Sequence, residues 1–271
     1  MKHDYFWGAD IGLTVDPTGV VLLRAVRPAV TVQDGRVLDA TTGKELAVPE
    51  GVTLAEFIAP KYSILDVQSR KGLTFHQVAR EAAAVMGDLG GSNFLACVDS
   101  TGLGVGATDA IRRAGVPAIG ITLTSGSRIT GSRWNWNVPV SLMFSGLFSV
   151  MSQNRLQVTD PAGAKLIEEL KEIEMRVSDT GRESFDVGSG QDHHGDLCYA
   201  LGMAVTVAER RVGRQHRNVA LHPQGHQRPA GRPRQGNTAK RVIKQRLEQS
   251  TRQSEQSLWR QIGVDEDPGF E

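Results

Sequence analysis

Through the first 213 residues, short runs rich in β-branched and aromatic residues alternate with segments of helical periodicity. FWGADIGL and TGVVLLRAV are two such runs, and the turn-like TVDPTG between them predicts an antiparallel pair. Later runs such as FLACVDS and VPAIGITL are separated by the short helical segment DAIRRAG. A second hairpin is predicted at TVQDGRVLD, where Asp34 and Gly35 suit a tight turn. The order predicts an α/β domain in which helices cover a sheet.

Charge is distributed unevenly along the 271 residues. From Arg214 to Arg246 there are nine Lys or Arg residues and no Asp or Glu, and Pro, Gly and Gln are frequent in the first part of this segment. A chain of this composition cannot form a packed core. We therefore predict a folded domain over residues 1–213, a flexible basic linker over 214–237, and an amphipathic helix with an acidic end over 238–271. The basic segment is either a solvated linker or an arm that holds DNA.

The apolar residues are too dispersed for a membrane protein. No run approaches the roughly 18 apolar residues that a membrane span needs, and Asp4, Asp10 and Asp16 interrupt the beginning of the chain. We expect a protein of the cytoplasm, neither secreted nor bound to a membrane. Cys97 and Cys198 lack metal-ligand spacing, and we expect both to be free thiols.

Three aspartates fall at the ends of predicted elements. Asp10 lies in the first strand, Asp99 ends a later strand, and Asp196 begins the last long helix. If the two strands are neighbours, their spacing of about 4.8 Å places Asp10 and Asp99 side by side, and a helix across the sheet brings Asp196 to the same end. Carboxylates gathered in this way repel one another unless cations lie between them, and Mg²⁺ or Mn²⁺ prefers such oxygen ligands. Taken singly, each aspartate has an ordinary explanation as a turn residue, a loop cap or a helix N-terminal acid.

Four longer stretches surround these aspartates: GADIGLTVDPTGVVLL, VDSTGLGVGATDAIRRAGV, VPVSLMFSGLFSVMSQNRLQV and ELKEIEMRVSDTGRESFDVGSGQDHHGDLCYAL. In this order they resemble the RNase H-like nucleases, and more narrowly the nuclease domain of phage terminase large subunits, over roughly residues 5–210. That family commonly has a His-Asp-Asp-Leu run where this chain has His-Gly-Asp-Leu at 194–197. Gly195 thus replaces one of two aspartates, and Asp192 is close enough in sequence to compensate.

The resemblance implies an RNase H-like mixed five-stranded sheet flanked by helices. It also implies a two-metal endonuclease that cleaves double-stranded DNA, here concatemeric phage DNA during genome packaging, with two Mg²⁺ or Mn²⁺ ions. In this interpretation Asp10 contacts both ions, while Asp99 and Asp196 each hold one. Asp16 corresponds to a further acidic position of the family. Asp192 and His194 are further candidate metal ligands.

Double-stranded DNA, a packaging ATPase, a small terminase and portal proteins are the partners that the resemblance implies. The ATPase is expected on another polypeptide or on a part of the protein outside this chain. ATTGKE, the nearest approach to a P-loop, lacks the first glycine of that motif and the Ser or Thr that follows its lysine.

Three other interpretations remain open. An actin-like kinase or ATPase also places Asp and Gly at its first hairpin, as GADIGLT does, but no second phosphate hairpin and no adenosine-binding glycine pair can be found in the sequence. A Holliday-junction resolvase of the same fold uses the same carboxylates. A non-catalytic DNA-binding module is the third.

Two loop segments have compositions that suit contact with DNA. The glycine-rich GLGVG at residues 102–106 predicts a turn that lets backbone approach DNA or metal. GSRITGSRWNWNVPV predicts a basic and aromatic loop with Arg133, Trp134 and Trp136, which either contacts nucleic acid or packs its indoles in the core.

Overall fold

A computed structural model describes residues 3–12, 16–91, 93–159, 163–177, 183–187 and 195–220. The strands in these residues are β1 (His3–Asp10), β2 (Thr18–Val26), β3 (Val30–Gln33), β4 (Arg36–Asp39), β5 (Glu45–Leu46), β6 (Lys61–Arg70), β7 (Phe94–Asp99), β8 (Ala118–Thr124), β9 (Thr130–Gly131), β10 (Asn135–Pro139), β11 (Leu156–Val158), β12 (Ile173–Val177) and β13 (Glu183–Val187). The helices are α1 (Leu54–Phe57), α2 (Phe75–Asp88), α3 (Gly104–Arg113), α4 (Val140–Ser152), α5 (Gly163–Lys171) and α6 (Asp196–Ala220).

The main sheet has eight strands in the order β11-β6-β2-β1-β7-β8-β10-β9. β2 is antiparallel to both of its neighbours, β1 and β6, whereas β1, β7, β8 and β10 run parallel. The predicted antiparallel pair and the predicted mixed sheet are therefore confirmed. The central strands β6-β2-β1-β7-β8 form the five-stranded sheet expected for an RNase H-like fold, and the remaining strands extend both of its edges.

Helices cover both faces of the sheet. Successive side chains of a strand point to opposite faces, so Phe6 joins a core that includes Phe144 and Leu201, on the face of α4, α5 and α6. Trp7 joins a second core that includes Val78 and Ile111, on the face of α2 and α3. We call the first of these the α6 face. The carboxylates of interest lie at its upper edge, where β1 and β7 end.

Two local predictions can be compared with the structure. Asp34 and Gly35 have positive φ values of 50° and 76° in the tight turn between β3 and β4, as the hairpin prediction requires. The prediction of a turn over residues 102–106 is correct only at its beginning, because α3 already starts at Gly104. A side chain at Gly104 would overlap the carbonyl oxygen of Asp99, so glycine serves close packing of the helix start on β7.

α6 begins at the carboxyl end of β1 and the start of β2, and it crosses the sheet toward the amino end of β1. A Cβ on Gly8 would overlap the carbonyl oxygen of Ala200, so helix and strand backbones are in direct contact there. Farther along α6, Glu209 pairs with Arg155 at 2.7 Å and accepts a hydrogen bond from Tyr62. The helix continues to Ala220.

Several predictions concern segments or properties beyond the sheet. Within the described ranges, no helix is long and apolar enough to cross a membrane. Cys97 and Cys198 are both free and buried. The segment 221–271, which includes the predicted amphipathic helix, lies outside the described residues, and the predicted domain boundaries stay predictions.

Candidate active site

Asp10 and Asp99 stand next to each other at the carboxyl ends of β1 and β7. The parallel register pairs Ala9 with Val98, so the residues that follow them are neighbours, and the two carboxyl groups share a hydrogen bond. Ala9 and Val98 pack in the core beneath α2 and α3. Strand alternation therefore directs Asp10 and Asp99 to the α6 face.

Asp196 reaches the same end of the sheet from α6. Gly19 of β2 is the register partner of Asp10. A Cβ built on Gly19 would lie 2.8 Å from the Cβ of Asp196 and 2.5 Å from its carbonyl carbon. Because Gly19 has no side chain, the first residue of α6 packs directly on β2, one strand away from Asp10. Asp196 is only 9% exposed.

The electrostatics of the site follow from this convergence. Burial raises the pKa of Asp10 well above its usual value, and the charges of Asp99 and Asp196 raise it further. Burial also raises the pKa of Asp99, against hydrogen bonds from Thr101 and Asp10 that lower it. The pKa values of Asp10 and Asp99 are thus raised first by burial, and that of Asp10 also by the neighbouring carboxylates.

The carboxylate of Asp99 is held by the loop that follows β7. The backbone N–H of Thr101 donates to Oδ1 of Asp99 at 2.8 Å. The hydroxyl oxygen of Thr101 accepts from the N–H of Leu123 at 3.1 Å, which ties the loop to β8. A backbone N–H group of a loop tied to β8 thus helps to orient the carboxylate of Asp99.

Glu169 of α5 is a further acidic residue at this end of the sheet, and it was not predicted from the sequence. Its Oε2 accepts hydrogen bonds from the N–H groups of Leu197, at 3.0 Å, and Cys198, at 3.3 Å. These N–H groups belong to the first turn of α6, where backbone donors have no partner within the helix. Glu169 is 8% exposed, and its burial raises its pKa although both N–H groups act in the opposite direction.

One feature of the sequence points to Glu169 as a residue with a special role. It falls on the buried stripe of α5, with Gly163, Leu166 and Leu170, where an apolar residue is the ordinary choice. A carboxylate on such a stripe must be satisfied by a buried partner, and here the partner is the start of α6, 28 residues later.

Asp16, Asp192 and His194 are the remaining predicted ligands. Asp16 is exposed and lies just before β2. Asp192 and His194 lie outside the described residues. All three assignments stay predictions.

The donors present suit a hard divalent cation, although they do not form a complete coordination shell. Among the residues that the structure describes, no group of three or more Asp, Glu, His or Cys side chains is arranged to hold a metal ion. The described donors are carboxylate oxygens, the ligands that Mg²⁺ and Mn²⁺ prefer. Burial and the charges of the neighbouring carboxylates raise the pKa of Asp10. A cation bound there would neutralise this negative charge.

The chain resembles large terminase nuclease domains. The large terminase nuclease of thermophilic phage G20c is 18% identical, with 76% of this chain and 82% of that chain covered and a TM-score of 0.45. Its cobalt-bound structure gives 17% identity, coverage of 76% and 81%, and a TM-score of 0.47.

The large terminase nuclease domain of bacteriophage SPP1 with bound Mn is 11% identical, with 76% of this chain and 86% of that chain covered and a TM-score of 0.41. No family model matches the chain, and no curated protein sequence matches it. A likeness at these identities concerns the fold and assigns no residue or activity to this chain.

Proposed function

We propose that this protein is a metal-dependent endonuclease that cleaves double-stranded DNA, as the nuclease of a phage terminase does to concatemeric DNA during genome packaging. One observation carries the proposal: Asp10, Asp99 and Asp196, from three separate elements, converge at one end of the sheet. The four terminase-like stretches of sequence support the choice of substrate. The actin-like alternative accounts for the Asp and Gly of the first hairpin but assigns no task to Asp196.

In this proposal Asp10, Asp99 and Asp196 hold two Mg²⁺ or Mn²⁺ ions. Bound there, such ions lower the pKa of an attacking water and stabilise the departing oxygen of the phosphodiester. Asp10 lies between Asp99 on β7 and the start of α6 over β2, and this central position supports its assignment as a ligand that both ions would share. Thr101 keeps the carboxylate of Asp99 in one orientation.

Glu169 acts as a positioning residue in the same proposal. Its two hydrogen bonds hold the first turn of α6, and Asp196 is the first residue of that turn. Groups that orient metal ligands typically affect metal affinity or activity by about 10–100-fold. Asp16, Asp192 and His194 are proposed as further ligands. A packaging ATPase, a small terminase and a portal are proposed as partners.

Cleavage of a linear duplex tests the proposed function. Wild-type protein should cut linear duplex DNA with Mn²⁺ or Mg²⁺ and should stop when EDTA is in excess. Asp99→Asn should abolish cutting, whereas Asp88→Asn, a change at an exposed aspartate of α2, should leave it unchanged. Cutting that persists in EDTA, or full activity of Asp99→Asn, contradicts the proposal. A strong preference for four-way junctions over linear duplex would assign the protein to the resolvases.

A further inference from the structure

A concave, positively charged surface lies on the α6 face. It is a cavity of about 440 Å³, lined by residues 129–133 and by Trp136, Arg210 and Arg211. We call it the arginine cavity. Three of its lining residues are arginines, two carry hydroxyl groups, and no acidic residue is among them.

The wall of the cavity is a hairpin that the sequence did not predict as strands. β9 pairs with β10 through Trp136 and Gly131. A side chain at Gly131 would overlap the carbonyl oxygen of Asn135, so the turn is tightly closed. Arg112 donates to the carbonyl of Trp134 at 2.6 Å and to Oδ1 of Asn135 at 2.8 Å. The hairpin is therefore fixed to α3 and is preformed.

The two indoles of this hairpin have different surroundings. Trp136 is half-buried and packs against the core of the α6 face, as one of the two open interpretations expected. Trp134 is 37% exposed, and the guanidinium carbons of Arg133 and Arg211 lie 5.0 Å and 5.9 Å from its ring centre. Cation–π contacts at such distances orient guanidinium groups without neutralising them.

The charge of these arginines is available to a ligand. In the described part of the chain, neither Arg133 nor Arg211 forms an ion pair with a carboxylate. Both side chains are exposed. The neighbouring acid on α6, Glu209, is already paired with Arg155. Arginine presents several N–H donors that match phosphate oxygens, and hydroxyls of Thr130 and Ser132 add further donors.

The sheet register and α6 place this cavity on the same face as the carboxylates but away from them. Ile121 of β8 pairs with Asp99 on one side and with Trp136 on the other, so Trp136 is two strand spacings, about 10 Å, from Asp99. Arg211 follows Asp196 by fifteen residues of α6, about 22 Å along the helix. Along one strand of duplex DNA, about 10–22 Å of axial rise corresponds to about three to six nucleotides.

We propose that the arginine cavity binds backbone phosphates of duplex DNA several nucleotides from the phosphate that is cleaved. Arg133 and Arg211 contact the phosphates. The indole ring of Trp134 packs against both guanidinium groups and holds them in position. The proposal rests on the proposed nuclease function for its register, but the binding itself does not require the carboxylates.

Salt-dependent binding of a fluorescent 30-base-pair duplex to the full chain tests this proposal. Anisotropy is measured from about 50 to 200 mM salt in EDTA, so that cleavage and metal binding do not contribute. Arg133→Ala and Arg211→Ala should each weaken binding by roughly tenfold and make the slope of log affinity against log salt shallower by about 0.9. Arg113→Ala, at an exposed arginine of α3 on the other face, is the matched control and should change neither quantity.

Two further variants separate charge from geometry. Arg211→Lys should restore the slope because it restores the charge, and this also excludes a folding defect as the cause. Trp134→Ala should weaken binding severalfold with the slope unchanged, because both arginines remain. Slopes for Arg133→Ala and Arg211→Ala that superimpose on wild type would overturn the proposal even if the protein cuts DNA. Shallower slopes in a protein that cuts no DNA would support the cavity and contradict the nuclease.

Discussion

The carboxylate end of the sheet and the arginine cavity lie on one face, about two strands apart, and gather charge in opposite ways. Asp10 and Asp99 are brought together by strand register and are largely shielded from water, so like charges raise the pKa of Asp10. Arg133 and Arg211 are exposed, and an indole lies between them. The carboxylates therefore need a cation, whereas the arginines tolerate solvent and can meet an anion.

Substitutions in the two regions should consequently cause defects in different assays. Loss of a carboxylate should remove the chemistry and leave DNA binding in EDTA intact. Loss of an arginine should weaken DNA binding while the chemistry survives at low salt and high DNA concentration. The predictions below begin with the largest expected effect.

The largest effect is expected for Asp10→Asn. Cleavage in Mn²⁺ should fall by more than about 100-fold, because even groups that only orient metal ligands contribute about 10–100-fold. Without metal, the variant should unfold at a higher temperature than wild type, since one of three mutually repelling charges is gone. Initial cleavage rates and thermal denaturation in EDTA measure the two effects. Wild-type cleavage by Asp10→Asn would remove Asp10 from the site.

Glu169 should show the next largest effect. Glu169→Ala leaves two buried N–H groups of α6 without their acceptor and should cost about 1–3 kcal/mol of stability, with an activity loss of about 10–100-fold. Glu169→Gln retains an acceptor oxygen and should recover most of both. Glu168→Gln, at the exposed neighbour on α5, is the control.

A structural role alone would lower stability without changing Mn²⁺ affinity per folded molecule. Mn²⁺ titration of folded Glu169→Ala therefore separates positioning from simple stabilisation. We expect weaker Mn²⁺ binding, and an unchanged affinity would contradict the positioning role.

Gly19→Ala tests whether α6 must touch β2 for Asp196 to be in place. The added Cβ would meet the backbone of Asp196 at 2.5 Å, and overpacking of this kind typically costs about 1–3 kcal/mol. Activity should fall with stability because Asp196 is displaced. Gly146→Ala in α4 adds a Cβ into open space and should stabilise by about 0.5–1 kcal/mol. Denaturant unfolding and cleavage rates of the two variants decide the point.

The smallest expected effect is a pH dependence of the metal-free protein. The raised pKa of Asp10 means that the folded protein binds this proton more tightly than the unfolded chain, where Asp titrates near 3.9. The associated stability is present below about pH 4 and is lost as pH rises through the folded pKa. Wild type should therefore lose stability relative to Asp10→Asn between pH 4 and neutrality, and saturating Mg²⁺ should close the gap. A difference in stability between the two proteins that stays constant across this pH range would contradict the raised pKa of Asp10.

Local patterns were sufficient to predict most of this fold. The β1–β2 pair, the Asp34–Gly35 turn and the helix α3 between β7 and β8 follow from alternation, turn chemistry and helical periodicity. The neighbouring positions of β1 and β7 could only be stated as a condition, because strand order is set by the whole sheet. Once the condition is met, the proximity of Asp10 and Asp99 follows from strand spacing.

Long-range contacts account for what was not predicted. NWNVP becomes β10 because it pairs with β8 and because Arg112 holds the carbonyl of Trp134, and neither cause is visible in five residues. Glu169 was overlooked because its partners are N–H groups of a helix 28 residues away. Gly104 begins α3 despite the low helix propensity of glycine, because the carbonyl of Asp99 leaves no room for a side chain.

Calorimetric titration with Mn²⁺ tests the central claim most directly, because it asks whether carboxylates from β1, β7 and α6 form one cation site. Wild type, Asp88→Asn and Arg211→Ala should bind Mn²⁺ with similar affinity and should be stabilised by it against heat. Asp10→Asn, Asp99→Asn and Asp196→Asn should each lose most of the binding heat and most of that stabilisation. Mn²⁺ binding by Asp10→Asn and Asp196→Asn that matches wild type would contradict the account.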